Sequence, residues 1–207
     1  MNWNAGAVGL REQKKQATRQ ALREAALRLA LERGPDNVRV DDIADAAGVS
    51  PRTYNNYFPS REHAIVAAVT AEREERVAAA VSARSGGGLA EAVVEAVVEQ
   101  YTDPRERGSE ALLLITTQAA LREVYVHTAT AMEDPLAGAL AERIEDAVAA
   151  RVLAASVAAA VRVALEQWLR PVPKADGLVV VSGSLPDLLR AALEPLVPAL
   201  EAAGQVR

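Results

Sequence analysis

The segment 40–57 constrains the fold of this chain most strongly. Its first seven residues carry apolar side chains at three- and four-residue spacing, which predicts a short helix with one apolar face. Gly48 permits a tight turn, and Ser50 followed by Pro51 supplies the residue types preferred at the N-cap and first position of a second helix, which we expect to reach about Tyr57. Two short helices joined by a three-residue turn are the layout of a helix-turn-helix.

The second of these helices is too short and too polar to contribute much to a core. Its expected surface consists of Arg52, Thr53, Asn55 and Asn56. Arginine can fork onto guanine edges and asparagine can pair with adenine, while hydroxyl groups hold phosphates. We therefore predict a helix that enters the DNA major groove; the alternative is an ordinary polar helix surface.

Aromatic residues are concentrated in the same place. The chain has only seven, and three of them are Tyr54, Tyr57 and Phe58. We expect Tyr54 and Phe58 to pack inward beneath the polar helix, with Tyr57 left to reach DNA.

Several short motifs within residues 11–65 resemble the DNA-binding domain of the TetR family. They are Ile43-Ala44, Ala47-Gly48-Val49-Ser50, Thr53, Tyr57-Phe58 and Ser60-Arg61-Glu62. The resemblance implies an all-α, TetR-like fold, with a three-helix helix-turn-helix head and a helical body for effector binding and dimerisation. It also implies a homodimer on a palindromic operator. The segment 51–58 is similar to the actinobacterial branch that includes mycofactocin-type regulators.

The predicted contacts to double-stranded operator DNA come from this segment and its flanks: Arg39, Ser50, Pro51, Arg52, Thr53, Asn55, Asn56, Tyr57 and Arg61. Three positions depart from the family pattern. Arg39 replaces the usual Thr or Ser cap, which Asp41 and Asp42 can offset at the helix start. Asn55 stands where an aromatic residue is common, and Arg61 replaces a common Lys.

The charge distribution agrees with a DNA-binding head. Residues 1–63 carry ten Lys/Arg against eight Asp/Glu, whereas residues 64–207 carry thirteen against twenty. A mildly basic head on an acidic body favours local phosphate contact. The basic residues Arg11, Lys14, Lys15 and Arg19 either touch flanking DNA or form a solvated helix face.

The remainder of the chain predicts helices separated by Gly, Pro and Asp. We expect a head at residues 1–60 and a body at 61–207. The predicted helices span residues 10–33, 40–47, 50–57, 60–84, 89–101, 109–117, 118–143, 145–169 and from 184 onward, with a loop at 171–182. Pro135 should kink or split the helix over 118–143. Ser184 is the expected cap of the last helix, and Pro195 and Pro198 should bend or end it.

An effector pocket needs an apolar wall and a few convergent polar groups. The polar and aromatic candidates in the body are Tyr101, Thr117, Gln118, Arg122, Tyr125, His127 and Trp168. The apolar surroundings indicate a hydrophobic or amphipathic effector, such as an acyl chain or a polyketide.

The last two long helices are the expected homodimer surface. The stripe on the first consists of Val148, Val152, Val157, Val161, Ala164, Leu165 and Trp168, and that on the second spans residues 185–193. Small residues let such helices approach closely in a four-helix interface. The alternative is packing within one chain.

Other functions have little support in the sequence. There is no cysteine, which excludes disulfides and thiolate metal sites, and the two histidines, His63 and His127, lie far apart. No nucleophile elbow, phosphate loop or metal-spaced cluster occurs, so we expect no cofactor and no catalysis. No run approaches the roughly 18 uninterrupted apolar residues of a membrane span, and we expect a cytoplasmic protein. A small-molecule carrier whose head has lost specific DNA binding, and a helical enzyme, stay open as alternatives.

Overall fold

The computed structural model describes residues 4–84, 86–103, 110–170 and 183–205, with the side chains of residues 4–10 and 12 omitted. Within these ranges the regular structure is entirely helical. The helices are α1 (Asn4–Arg33), α2 (Val40–Ala46), α3 (Pro51–Tyr54), α4 (Arg61–Thr70), α5 (Arg73–Ala83), α6 (Leu89–Tyr101), α7 (Glu110–Thr117), α8 (Ala119–His127), α9 (Glu133–Ala141), α10 (Ala147–Trp168), α11 (Leu185–Leu193) and α12 (Val197–Gly204). This confirms the predicted all-α fold class.

The chain forms two compact units, residues 1–69 and 70–207. The division therefore falls later than the boundary at residue 60 expected from the sequence. We call the first unit the head and the second the body.

The head is built around the apolar face of α1. Leu22, Ala26 and Leu29 are buried there, as are Ile43 of α2 and Ile65 of α4. The first helix ends where Gly34 adopts a positive φ of 78°, a conformation that an L-residue with a side chain rarely adopts.

The predicted helix over residues 60–84 is wrong. The structure divides it into α4 and α5, because Glu72 adopts a left-handed conformation with φ 64° and ψ 2°. Glu72 is the only described residue other than glycine with a positive φ. No proline or glycine lies at this point, so the sequence offered no warning of the break.

The body is organised around α10, which packs against α9 and α11. The helix begins at Ala147 because the Oδ1 atom of Asp146 accepts hydrogen bonds from the backbone N–H groups of Val148 (2.8 Å) and Ala149 (3.3 Å). One face of α10 is buried within the body by Leu153, Val157, Val161 and Leu165.

The predicted dimer stripe on α10 is therefore divided between two faces. Val157, Val161, Ala164 and Leu165 are buried in the core of a single chain, whereas Val148 and Val152 are exposed. The apolar stripe of α11 is likewise part of that core, since Leu185, Leu189 and Leu193 are buried. The reason is that valine and alanine occupy more than one face of α10, so spacing alone does not say which face meets the core.

Two further predictions hold only in part. The helix expected over residues 118–143 is split, as Pro135 predicts, but the break is a 3-10 segment at Thr128–Met132 and Pro135 itself lies in the first turn of α9, where proline is tolerated. Ser184 is the N-cap residue of α11, but its side chain forms no capping hydrogen bond.

The bend expected at the C-terminal prolines is present as a 3-10 segment at Glu194–Leu196. The predicted loop at 171–182 lies outside the described residues.

By length and composition alone, α10 would also suffice to cross a membrane, with a mean hydropathy of 1.8 in an 18-residue window. Close to half of that window, 44%, is buried within the body. The core helix of a globular unit has the same composition.

Candidate functional site

The segment after Gly48 begins as the sequence predicts. The Oγ atom of Ser50 accepts a hydrogen bond from the backbone N–H of Thr53 at 3.1 Å and lies 2.9 Å from the Thr53 hydroxyl. Gly48 itself has a φ of 69°, which the tight turn requires. The N-cap role of Ser50 is thus confirmed.

The second helix is shorter than predicted. Its α-helical part ends at Tyr54, and Asn55, Asn56 and Tyr57 continue as a turn. The backbone N–H groups of Asn56 and Tyr57 bond to the carbonyls of Thr53 and Tyr54, the tighter spacing of a 3-10 helix. The polar residues at 55–57 therefore lie on a turn that extends the helix.

Two aromatic side chains support this segment from below. Tyr54 and Phe58 are buried, with ring centroids 6.0 Å apart. The Tyr54 hydroxyl donates a 2.8 Å hydrogen bond to the Ser60 carbonyl. Burial, together with the nearby charge of Glu62, raises the pKa of Tyr54, so the phenol stays protonated and remains a donor. The expectation that both rings are core is confirmed.

The outward side of the same segment is polar. Ser50, Pro51, Arg52, Asn55 and Asn56 are exposed, and Thr53 and Tyr57 are half-buried. Neither Arg52 nor Asn56 uses its side chain in a hydrogen bond or an ion pair within the described part of the chain. The arrangement leaves a guanidinium and two amides available to an external partner.

The start of α2 compensates for the missing cap. Arg39 is the N-cap residue and its side chain is exposed. Its backbone N–H donates a 3.0 Å hydrogen bond to the Oδ2 atom of Asp42. This is the acidic half of a capping box, so Asp42 compensates by a hydrogen bond, in addition to the favourable charge at the helix start that the sequence predicts.

Two of the predicted basic contacts have partners inside the head. The Nη1 atom of Arg61 donates to the carbonyls of Val38 (2.9 Å) and Asp36 (3.2 Å), and its Nε atom donates to Glu62 at 2.7 Å. The guanidinium of Arg19 stacks on Phe58, 5.3 Å from the ring centroid. Arg61 thus holds the turn before α2 against the start of α4.

Glu62 shows the consequence of this network. Burial by itself would raise the pKa of Glu62, but hydrogen bonds from Ser60 and Arg61, with the positive charge of Arg61, outweigh it. The net effect lowers the pKa below its ordinary value. The Glu62 carboxylate therefore stays ionised, and its ion pair with Arg61 helps to support the exposed segment that follows Gly48.

In the body, the structure brings two of the predicted effector residues together. Tyr101 of α6 and Tyr125 of α8 are buried on either side of Arg73, whose guanidinium lies 4.7 Å and 5.4 Å from their ring centroids. Arg73 is 1% exposed, and its Nη1 atom donates to the Tyr125 hydroxyl at 3.3 Å. Burial raises the pKa of Tyr101 although the charge of Arg73 opposes this. We call these three residues the Arg73 cluster.

The other predicted effector residues are dispersed. Thr117 and His127 are exposed and bond to backbone carbonyls of their own helices. Arg122 donates a 2.8 Å hydrogen bond to the Thr116 carbonyl, and Gln118 and Trp168 are half-buried. In the part of the chain that the structure describes, none of these five side chains forms a hydrogen bond or ring contact with the Arg73 cluster, so the cluster defines a smaller candidate site than the sequence did.

Comparisons with known proteins identify the family. A family model described as "Bacterial regulatory proteins, tetR family" matches residues 22–68. The chain is 30% identical over 196 residues to the HTH-type transcriptional regulator TcmR of Streptomyces glaucescens, covering 88% of this chain and 87% of that protein.

The chain belongs to the TetR family of bacterial transcription regulators.

Two solved structures agree on the fold. A TetR-family regulator from Streptomyces coelicolor A3 is 24% identical with a TM-score of 0.51, over 89% of this chain and 95% of that one. The TetR family repressor AlkX from Dietzia sp. is 22% identical with a TM-score of 0.52, over 89% and 98%.

Membership defines the class of function. TetR-family proteins are DNA-binding transcription regulators and not enzymes; they bind operator DNA, form dimers and bind small molecules. The helix-turn-helix at residues 40–57 is accordingly the DNA-binding element of this chain.

Sequence reasoning missed Arg73. The residue lies in the run from Glu72 to Glu75, in which three acids indicate a solvated helix face. In the structure Glu74 is half-buried and Arg73 is fully buried. A signal was present in retrospect, since Arg73 lies four residues before Val77 and eight before Val81, on the apolar side of α5.

Proposed function

We propose that this TetR-family protein is a repressor that leaves a palindromic operator when a small hydrophobic or amphipathic effector binds its body. The observation that carries the proposal is the exposed polar segment 51–57, held outward by the buried rings of Tyr54 and Phe58. It combines side chains able to read bases with a rigid support, which recognition needs.

Roles within the segment follow from exposure and chemistry. Arg52 and Asn56 are exposed, and we assign them to base edges, guanine and adenine respectively. Asn55, Thr53 and Tyr57 are suited to phosphate or to a base, and Ser50 and Pro51 bring the backbone of the helix start to the DNA. Such contacts set the register on the duplex.

Flanking contacts are assigned to Arg39 and Arg61. Arg39 is exposed and its side chain is free to meet phosphate. Arg61 has a second role inside the head, where it holds two backbone carbonyls. Its phosphate contact therefore requires only the part of the guanidinium that faces solvent.

We infer a homodimer through α10 and α11. A palindromic operator presents two half-sites about 34–36 Å apart, and a two-fold dimer presents two recognition segments at that spacing. The apolar outer side of α10, which includes exposed Val148 and Val152, supports this assignment.

We propose that the Arg73 cluster holds the polar end of the effector. The cluster buries one guanidinium and two phenols within the body, and a ligand site needs a few oriented polar groups of this kind. A carboxylate or phenolic oxygen on an amphipathic effector would match this chemistry. The other predicted effector contacts are not part of the Arg73 cluster; they are Thr117, Gln118, Arg122, His127 and Trp168.

The position of Arg73 in the chain suggests how the two sites communicate. Arg73 is the first residue of α5 and follows Glu72, where the helix from the head is interrupted. An effector that displaces Arg73 acts directly on the connection between the units. The coupling is reciprocal, so operator DNA must weaken effector binding by the same factor.

A binding assay on DNA upstream of the gene for this chain tests the proposal. We expect a footprint on an inverted repeat, and an affinity that falls steeply as salt rises. An effector that raises the melting temperature of the free protein should also release the DNA. Binding of such a ligand with no DNA shift at low salt would instead identify a carrier. We propose a cytoplasmic location, because a regulator of this class acts on operator DNA there.

A further inference from the structure

The first helix of the head extends well beyond the core that it helps to build. α1 begins at Asn4, but the first buried side chain along it, among those that the structure describes, is Leu22. Every described side chain between residues 11 and 21 is exposed or half-buried. At 1.5 Å per residue, the helix therefore runs about 27 Å ahead of its first core residue. We call residues 11–21 the arm.

The arm is basic and has almost no apolar surface. Its sequence contains four Lys/Arg against one Glu, and no apolar side chain larger than alanine. A helix that is stabilised by burial needs an apolar face, which the arm lacks. Packing of the head therefore does not account for this part of α1, and what the arm offers to a partner is positive charge.

Three of the basic residues follow one side of the helix. Arg11, Lys15 and Arg19 are exposed and recur every four residues, so they lie on successive turns about 6 Å apart along the axis. We call these three residues the basic row. Like charges at this spacing weaken a helix, and an extended polyanion that follows the row offsets the cost.

The inner end of the basic row lies beside the recognition segment, residues 51–57. The guanidinium of Arg19 is stacked on Phe58, 5.3 Å from the ring centroid, and Phe58 directly follows Tyr57 in the chain. The basic row is therefore on the side of α1 that meets the end of this segment. Lys15 and Arg11 continue from that point, about 6 Å and 12 Å further along the helix axis.

We propose that the arm lies along the sugar-phosphate backbone next to each operator half-site, with Arg11 and Lys15 bonded to phosphates. The inference rests on the proposed repressor function and deepens it, because it gives the chain a second DNA contact that reads no bases. The recognition segment supplies specificity, and the basic row supplies affinity that does not depend on sequence. Arg19, stacked on Phe58, joins the two.

The chemistry and the position of the arm select duplex DNA among anionic partners. A helix that binds a membrane surface needs an apolar face to enter the headgroup region, and the arm has none. A duplex that lies against the recognition segment brings a continuous line of phosphates to the same side of the head. The arm therefore extends a DNA contact that the neighbouring segment already makes.

The test measures the DNA affinity of the full-length protein across a salt series, on its operator and on scrambled DNA. The double variant Arg11→Gln, Lys15→Gln removes two phosphate contacts from each bound chain. The slope of log affinity against log salt should therefore become shallower by about 2 per chain bound. At fixed salt the affinity should fall about tenfold or more, and by the same factor on both DNAs. Glutamine retains the helix propensity of the arm, which circular dichroism checks.

Arg28→Gln is the matched control. Arg28 is exposed on the same helix and the substitution removes the same charge. However, Arg28 lies nine residues after Arg19, on the opposite side of the helix, and pairs with Glu32 at 3.5 Å. The control should leave both the affinity and the salt slope unchanged.

Hydroxyl-radical footprinting supplies a second measurement. Wild type should protect backbone positions just outside each half-site as well as positions within it. The double variant should lose the outer protection and keep the inner, because the recognition segment is intact.

The outcomes separate the inference from the proposed function. If wild type binds its operator and the double variant matches it in salt slope and footprint, the arm does not touch DNA, although the repressor function stands. A loss confined to the operator, with scrambled DNA bound as before, would show base reading and overturn the phosphate contacts. If wild type binds no DNA even at low salt, the proposed function fails, and the inference fails with it.

Discussion

The hydroxyl of Tyr54 donates a hydrogen bond of 2.8 Å to the backbone carbonyl of Ser60, and this bond joins the end of the recognition segment to the start of α4. It spans the turn that contains Asn55, Asn56 and Tyr57. The residues proposed to meet DNA are therefore held from beneath by one buried phenol. Their geometry depends on packing inside the head as well as on their own backbone.

Tyr54→Phe should destabilise the head while leaving its surface unchanged. The ring remains, but the Ser60 carbonyl loses its donor, which costs about 1 kcal/mol of unfolding free energy. Urea denaturation measures this loss. Tyr57→Phe is the control for stability, because the Tyr57 ring is half-exposed and its hydroxyl forms no hydrogen bond to another described residue. Equal stability of Tyr54→Phe and wild type would contradict the account.

The helix-turn-helix was predictable from sequence because its signals are local. The glycine turn, the Ser50 cap and the inward positions of Tyr54 and Phe58 depend on residues within a few positions of one another. The left-handed Glu72 and the buried Arg73 carry no such local signal. Their conformations are determined by packing of α5 against α6 and α9, which only the folded body contains.

The two faces of α10 show the same limit. Valine and alanine occupy both, so spacing predicts a helix but not the face that meets the core. The sequence consequently assigned Val157 and Val161 to a dimer stripe, whereas they form the interior of one chain.

The stability of variants at residue 72 should depend on how readily the new residue adopts a positive φ. Asparagine adopts this conformation readily, whereas a β-branched residue resists it. We expect the free energy of unfolding in urea to be at least about 1 kcal/mol higher for Glu72→Asn than for Glu72→Val. Both variants remove the glutamate side chain, so the difference between their free energies of unfolding reflects the backbone conformation at residue 72. Equal stability of the two variants, or a more stable valine variant, would contradict the left-handed conformation at residue 72 that separates α4 from α5.

Glu74 should give the body a defined pH dependence. Burial raises the pKa of Glu74, although its own backbone hydrogen bond and the charges of Arg73 and Arg76 oppose this. The folded body therefore holds the proton more tightly than the unfolded chain does. The ionised carboxylate weakens folding at neutral pH, and this effect disappears as pH falls below the unfolded pKa.

Glu74→Gln should accordingly raise the melting temperature at pH about 7.5 and leave it unchanged near pH 4. Scanning calorimetry at the two values measures the difference. Glu75→Gln, at an exposed neighbour, should change little at either pH. If the increase in melting temperature caused by Glu74→Gln became larger as the pH falls, the stated direction of the Glu74 pKa shift would be wrong.

Tyr125→Phe should weaken effector binding, and it should also lower the melting temperature of the free protein, because the buried Arg73 loses a hydrogen-bond acceptor. The substitution removes the hydroxyl that accepts a hydrogen bond from Arg73 and that we propose also meets the effector. A thermal-shift titration with dodecanoate, an amphipathic acid, should show roughly a fivefold to tenfold weaker response than wild type, as expected for one lost hydrogen bond. Glucose serves as the polar control. Stabilisation by glucose and not by dodecanoate would contradict the proposed effector class.

The most direct measurement compares Arg52→Ala and Asn56→Ala with wild type on the footprinted operator and on scrambled DNA, by fluorescence anisotropy at fixed salt. Each variant should lose about 1–3 kcal/mol of operator affinity and almost nothing on scrambled DNA, because the lost contacts read bases. Gln20→Ala, exposed on α1 within the same head, should bind like wild type on both. Operator affinities of the two variants equal to wild type would show that the segment after Gly48 does not lie against the bases.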